Sequence, residues 1–236
     1  EMGVGAGIVF DSEANDEFAE CQLKARFLTG LSNDFEIVET MRASRQGVAL
    51  LTRHLARLRA SAAYFGFTCD GAADAVDAAC AALPDGVHRL RLAVGSSGAV
   101  TVQTAPLTEL QEPVRLLLAP DAVCADGLFL RHKTSVRTRY DAAWRDAEAQ
   151  GAFDTLFFNE RGELTEGGRS NVFIKLDGSW FTPPLACGVL PGVMRSVLLE
   201  DTSLQASEKI ITRDMLLRAQ DIKVCNALRG AMSATL

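Results

Sequence analysis

Histidine is scarce in this chain, three in 236 residues, and the six cysteines are scattered without a single CxxC pair. That scarcity argues against a zinc cluster or any other metal centre. It leaves buried free thiols in a reducing compartment, hence a cytoplasmic protein. No apolar run comes near the roughly 20 residues a membrane helix needs. The first residues, Glu1-Met2-Gly3-Val4-Gly5, have no basic segment leading into an apolar stretch, so no secretory signal is read here. Basic residues are outnumbered, 24 Lys and Arg against 30 Asp and Glu, with a net charge of −6. A nucleic acid is therefore not an expected partner, nor is a membrane. Arg42, Arg45, Arg53, Arg57 and Arg59 recur at helical spacings and read first as a solvated face. Internal repeats and low-complexity segments are absent too. What remains is ordinary for a soluble protein, 48% apolar and 23% charged, with enough chain for one large domain or two small lobes.

Several segments declare their structure through periodicity. Phe35-Thr40 and Val48-Leu51 read as strands around a polar turn at Ser44-Gly47. Leu51, Leu55, Leu58, Ala62 and Phe65 step by four and three, which predicts a helix from Thr52 to about Phe65. Gly71 to Leu83 predicts a second helix, ended by Pro84 and Gly86. His88-Val94 and Ala99-Thr104 flank Gly95-Ser96-Ser97-Gly98 as a hairpin, and Val114-Leu118 reads as a further strand. Ala119 to Gly127 resembles a linker. Beyond it come a helix from about Val136 to Gln150 and strands at Thr155-Phe158 and Asn171-Leu176. A helix from Val193 to Glu200 follows Pro191-Gly192. Thr212 is set to cap a short helix, Arg213-Ala219, before a last strand at Ile222-Cys225. The divisions expected are 1–30, a segment foreign to the rest; 31–118, a small α/β lobe; 119–127, a linker; and 128–236, a larger lobe.

Four features carry chemistry. Lys133 lies in a basic turn after Arg131 and His132, with Arg137 beyond, and neighbouring cations and burial both lower a lysine's proton affinity. Glu166 precedes Gly167-Gly168 at the mouth of an apolar strand. Gly192-Val193-Met194-Arg195 opens a helix whose free N–H groups suit an anion. Asn226-Ala227-Leu228-Arg229-Gly230 offers a second amide-rich turn after a strand. Each has an ordinary reading as a turn or a surface residue. A lysine and a carboxylate are also the two contacts that pyridoxal phosphate needs at opposite ends of its ring system. The lysine can form the Schiff base. The acid can keep the pyridine nitrogen protonated, without which the ring is a poor electron sink.

In this order the motifs resemble the fold-type IV pyridoxal-phosphate enzymes, the class of branched-chain and D-amino acid aminotransferases and aminodeoxychorismate lyase. The resemblance runs from Phe35 to the C-terminus, through Phe35-Met41, His54-Leu58, His132-Lys133, Thr165-Gly167 with Asn171-Phe173, Gly192-Arg195 and Cys225-Ala227. It implies a two-lobed α/β (α+β) fold with a small N-terminal lobe and a larger C-terminal pseudo-barrel lobe. It implies Lys133 as the Schiff-base lysine and Glu166 as the partner of the pyridine nitrogen. Arg57 with the Gly192, Val193 and Met194 turn and the Asn226-Ala227 turn would form the phosphate cup. It implies a homodimer. A tyrosine often follows the lysine closely in this class; here the nearest is Tyr140. The family's arginine-containing loop is replaced by Gly95-Gly98, so substrate contacts do not carry over.

Residues 1–30, with Gly3-Val4-Gly5-Ala6-Gly7-Ile8-Val9, Asp11-Ser12 and Glu20-Cys21-Gln22-Leu23-Lys24, resemble the extreme C-terminus of chorismate-using synthases such as aminodeoxychorismate synthase component I. That pairing implies a fragment of a bifunctional parent, whose second domain converts aminodeoxychorismate to 4-aminobenzoate and pyruvate for folate synthesis. The alternatives are an aminotransferase acting on D- or branched-chain amino acids and a non-catalytic scaffold.

Overall fold

The computed structural model describes residues 34–125 and 127–236, so the expectations for residues 1–30 lie outside the described residues. Two sheets organise the chain from Glu36 onward. The smaller has four strands, in the order β2-β1-β3-β4. They are β1 (Ile37–Ser44), β2 (Gly47–Val48), β3 (His88–Val94) and β4 (Val100–Pro106). Helices α1 (Leu51–Phe65) and α2 (Ala72–Ala81) lie between β2 and β3 in sequence. The sheet is antiparallel, and its register sets Thr40 opposite Arg91 and Arg42 opposite Arg89. Strand alternation then divides it into two faces. Ile37, Met41, Leu90 and Leu92 are buried on one face, as are Leu55 and Leu58 of α1. Thr40, Arg42, Arg89 and Arg91 belong to the other.

The larger sheet has eight strands and curls into a half-barrel, ordered β10-β9-β8-β11-β12-β5-β6-β7. Its strands are β5 (Val114–Leu118), β6 (Asp154–Phe158), β7 (Leu164–Gly167), β8 (Asn171–Leu176), β9 (Ser179–Thr182), β10 (Ser207–Glu208), β11 (Asp221–Asn226) and β12 (Gly230–Thr235). Leu116, Leu156, Leu164, Val172, Ile174, Ile211 and Val224 form its core. Helices α3 (Thr138–Ala149), α4 (Val193–Glu200) and α5 (Arg213–Leu217) belong to this half. Thr212 caps α5, its Oγ1 accepting from the Met215 N–H at 3.3 Å.

Four expectations change. Val114–Leu118, assigned by sequence to the small lobe, pairs in parallel with β6 and β12 and so belongs to the large sheet. Val114 and Leu116 supply its core, and strand partners so distant in sequence leave no local trace. The 119–127 segment is also no free linker up to Ala125. The Ala119 and Val123 N–H groups donate to Leu156 and Phe158 carbonyls at 2.8 and 2.9 Å, following β6. Leu51 already begins α1, which shortens the expected Val48-Leu51 strand to Gly47–Val48. Glu166 sits inside a strand, β7, paired with β6, rather than at the mouth of β8.

Candidate active site

A cavity of about 620 Å³ opens against the exposed face of the small sheet and the edge of the large one. Arg57, Lys133, Glu166, Gly192, Val193, Met194, Asn226 and Ala227 all line it. Residues separated by up to 170 positions are thus brought to one space.

Lys133 is held by its backbone in an extended segment, not a helical turn. The Val38 N–H donates to the Lys133 carbonyl at 2.9 Å, and the Ser135 N–H to the Glu36 carbonyl at 2.8 Å. These bonds tie the lysine to the first residues of β1. Its ammonium meets no carboxylate within ion-pair distance among the described residues. Burial pushes its pKa down to about 7, with the charges of Arg137 and Arg57 helping. An amine in that range is substantially neutral near pH 7 and can act as a nucleophile or a base.

Glu166 is buried, and only one of its oxygens is occupied. Oε2 accepts from the Leu190 N–H at 3.0 Å and from Asn171 Nδ2 at 3.2 Å. Oε1 is buried with no hydrogen-bond partner. Burial raises the Glu166 pKa to about 7, against the lowering effect of the Arg137 charge. A buried bare carboxylate oxygen is costly and calls for a donor. The turn after Glu166 is built around Asp154, whose carboxylate accepts from Ser170 Oγ at 2.6 Å and from the Arg169 N–H at 3.1 Å. Gly168 passes so close to this region that a Cβ there would stand 2.8 Å from the Tyr140 carbonyl. No larger residue fits without moving backbone.

The third element is the start of α4. Gly192 is its N-cap, with no side chain bonded to the first N–H groups. Those groups and the helix dipole favour an anion. A Cβ on Gly192 would collide with Asn171 Oδ1. Asn171 Nδ2 also donates to the Leu190 carbonyl at 3.1 Å, so one asparagine sets both Glu166 and the approach to this helix. Arg57 reaches the same place from α1, its guanidinium donating to the Pro191 carbonyl at 3.1 Å. On the other side Asn226 shapes its own turn, with Oδ1 accepting from the Arg229 N–H at 2.9 Å.

Sequence reasoning passed over Asn171 and Glu39 as site residues, and took Arg137 only as a cation near Lys133. Arg137 donates to the Gly168 carbonyl at 2.7 Å and lowers the pKa of both Lys133 and Glu166. Its position four residues after the lysine marked the effect on Lys133; the bond to Gly168 and the influence on Glu166 had no mark in the sequence. Glu39 carried none, because its partners His54 and Arg57 lie on a different element. Tyr140 is buried against Phe157 with its hydroxyl unpartnered, and it does not line the cavity.

The donor set suits pyridoxal phosphate. An unpaired buried carboxylate oxygen matches a pyridinium N–H, and a neutral lysine matches an aldehyde. An uncapped helix start beside an arginine matches a phosphate dianion.

Similarity to known proteins agrees with this. A relative from Schizosaccharomyces pombe, described as "Putative aminodeoxychorismate lyase", is 31% identical over 193 residues, covering 79% of this chain and 84% of its own. The crystal structure of a putative amino-acid aminotransferase from Mesorhizobium loti superposes with a TM-score of 0.79 at 39% identity, covering 86% of this chain and all of that one. A hypothetical aminotransferase from Mycobacterium tuberculosis, in a PLP-bound form, shares the fold with a TM-score of 0.73 at 24% identity, covering 88% of this chain and 82% of its own. The family described as amino-transferase class IV matches residues 36–236. The chain belongs to the class IV amino-transferase family.

Proposed function

We propose that this chain is a pyridoxal-phosphate-dependent 4-amino-4-deoxychorismate lyase, releasing 4-aminobenzoate and pyruvate. The observation that carries the chemistry is the bare Oε1 of Glu166 in the cavity that Lys133 also lines. The choice of a lyase rests on the likeness to the Schizosaccharomyces pombe relative. It is supported by the resemblance of residues 1–30 to the end of a chorismate-using synthase.

The bound cofactor supplies an electron sink for the substrate carbon that carries the amine. Glu166 Oε1 would accept the hydrogen bond of the ring nitrogen and keep its proton in place. Arg57 and the amides of Val193, Met194 and Ala227 would hold the phosphate. Lys133 Nζ, neutral near pH 7, removes the proton from the amine-bearing carbon. The C–O bond to the enolpyruvyl group then breaks, the six-membered ring becomes aromatic, and Lys133 returns a proton to the departing methylene carbon to give pyruvate. The same lysine thus serves as base and then acid.

A second reading has its own support. The Mesorhizobium loti protein, described as an aminotransferase, shares 39% identity with this chain. One assay separates the two. With 4-amino-4-deoxychorismate, the lyase yields pyruvate and 4-aminobenzoate in equal amounts. With D- or branched-chain amino acids and 2-oxoglutarate, a transaminase yields glutamate. Glutamate without aminobenzoate would overturn the lyase reading.

A further inference from the structure

The cavity holds more positive charge than the cofactor accounts for. Beyond Arg57 and Lys133, five arginines line it: Arg89, Arg91, Arg137, Arg169 and Arg229. Three of them are engaged. Arg91 is 2.9 Å from Glu36. Arg169 stacks over Trp144 and Phe153, with Glu148 at 3.7 Å. Arg137 holds the Gly168 carbonyl. Arg89 and Arg229 pair with no carboxylate among the described residues.

These two come from different sheets. Arg89 stands on the exposed face of β3, directly opposite Arg42 on β1. Arg229 projects from the turn between β11 and β12 and donates one terminal N–H to the Thr108 carbonyl at 2.7 Å, just past the end of β4. That bond ties it to the edge of the small sheet while leaving its other N–H groups available. Burial, then the nearby charges of Arg169 and Arg42, weaken its hold on its own proton. Crowding guanidinium groups into a half-buried mouth is unfavourable unless an anion arrives to offset them.

We propose that Arg89 and Arg229 form a two-sheet carboxylate clamp that selects substrates carrying a carboxylate remote from the reacting amine. This deepens the lyase reading and rests on it for the identity of the substrate, an amine with two carboxylates. The clamp explains how such a dianion would be preferred over an ordinary monocarboxylate. Both residues line the one cavity, and the N–H fork of a guanidinium suits a planar carboxylate.

The test uses the cofactor-loaded full chain and calorimetric titration with isophthalate and with benzoate at fixed ionic strength. The wild type should bind isophthalate at least about tenfold more tightly than benzoate, a usual scale for one charge-assisted contact pair. Arg89→Gln and Arg229→Gln should each lose most of that preference, and the Lys replacements should recover part of it. Pyridoxal phosphate affinity should stay within about twofold throughout, since the clamp is separate from the phosphate cup. The proposal is overturned if the wild type shows no preference, if either Gln variant keeps it, or if cofactor affinity falls in parallel. Should the preference depend on both arginines while no 4-aminobenzoate forms from 4-amino-4-deoxychorismate, the lyase reading fails and the clamp stands.

Discussion

Glu39 and Arg57 meet through two parallel hydrogen bonds, Nε to Oε1 at 2.8 Å and a terminal nitrogen to Oε2 at 2.6 Å. His54 adds a third contact, Nδ1 to Oε2 at 2.6 Å. The carboxylate fixes the plane of a guanidinium whose third nitrogen already holds the Pro191 carbonyl. For its proposed role as a phosphate ligand, Arg57 is thereby aimed in advance, at little further cost in side-chain entropy.

Glu39 also gives the protein an acid limb of known sign. Burial alone would raise its pKa, but the Arg57 charge and the bonds from His54 and Arg57 outweigh burial and bring it to about 2. A depressed folded value means the stabilisation is complete above the unfolded pKa and disappears as pH falls through the folded one. The difference amounts to about 3 kcal/mol. Glu39→Gln should therefore be clearly less stable than wild type at pH 7, with the gap shrinking between pH 4.5 and 2, and should bind pyridoxal phosphate several-fold more weakly. Denaturant melts across that range check the first part. A constant gap would contradict it.

Glu166→Gln should act in opposite directions on stability and on activity. With the cofactor removed, the wild-type carboxylate titrates at about 7, raised by burial. A raised acid destabilises the fold progressively as pH climbs from its unfolded value through 7, and glutamine escapes that penalty. Cofactor-free Glu166→Gln should melt higher than wild type at pH 8. Turnover should fall by roughly 10²-fold or more, because the amide presents a donor to the ring nitrogen and no longer keeps it protonated. A variant that is less stable at pH 8 and still fully active would count against the assigned role.

Gly192→Ala tests the helix start. A Cβ there collides with Asn171 Oδ1, and Asn171 in turn holds Glu166. One methyl group should weaken cofactor binding by about tenfold or more, since phosphate cup and nitrogen partner shift together. Titration of the visible band measures this. Unchanged affinity would show that the turn yields freely.

Lys133 is brought to about 7 by burial, then by Arg137 and Arg57. The rate of covalent cofactor uptake by the stripped protein should rise about tenfold per unit below pH 7 and level off above it, following the neutral amine. Arg137→Gln removes the stronger of the two charge effects, so the midpoint should move upward. Stopped-flow absorbance gives the profile, and an unmoved midpoint would remove Arg137 from the account.

Local pattern was enough for some of this architecture. The apolar steps from Leu51 to Phe65 and the Thr212 cap correspond to α1 and α5, and Pro191-Gly192 marks the start of α4. The hairpin at Gly95-Gly98 was equally legible. The strands β7, β9 and β12 were passed over, although Asp177-Gly178, both at positive φ, is a hairpin turn readable by rule. Other features had no local mark. β5 joins the large sheet through partners at Asp154–Leu156 and Ala234–Thr235, far along the chain. Glu39 points away from the cavity face of β1, and its importance appears only once α1 packs over it. Asn171 reads as a strand residue and is one, in β8; its bonds to Glu166 and the Leu190 carbonyl depend on a segment nineteen positions on that leaves no local mark.

The Schiff-base role of Lys133 can be read by loading the protein with pyridoxal phosphate, reducing it with borohydride and mapping the modified peptide by mass spectrometry. Lys133 should carry the pyridoxyl label, and Lys133→Ala should remain folded while losing both label and visible band. Label on Lys175, Lys209 or Lys223 in place of Lys133, or a visible band that survives in the folded Lys133→Ala protein, would contradict the account.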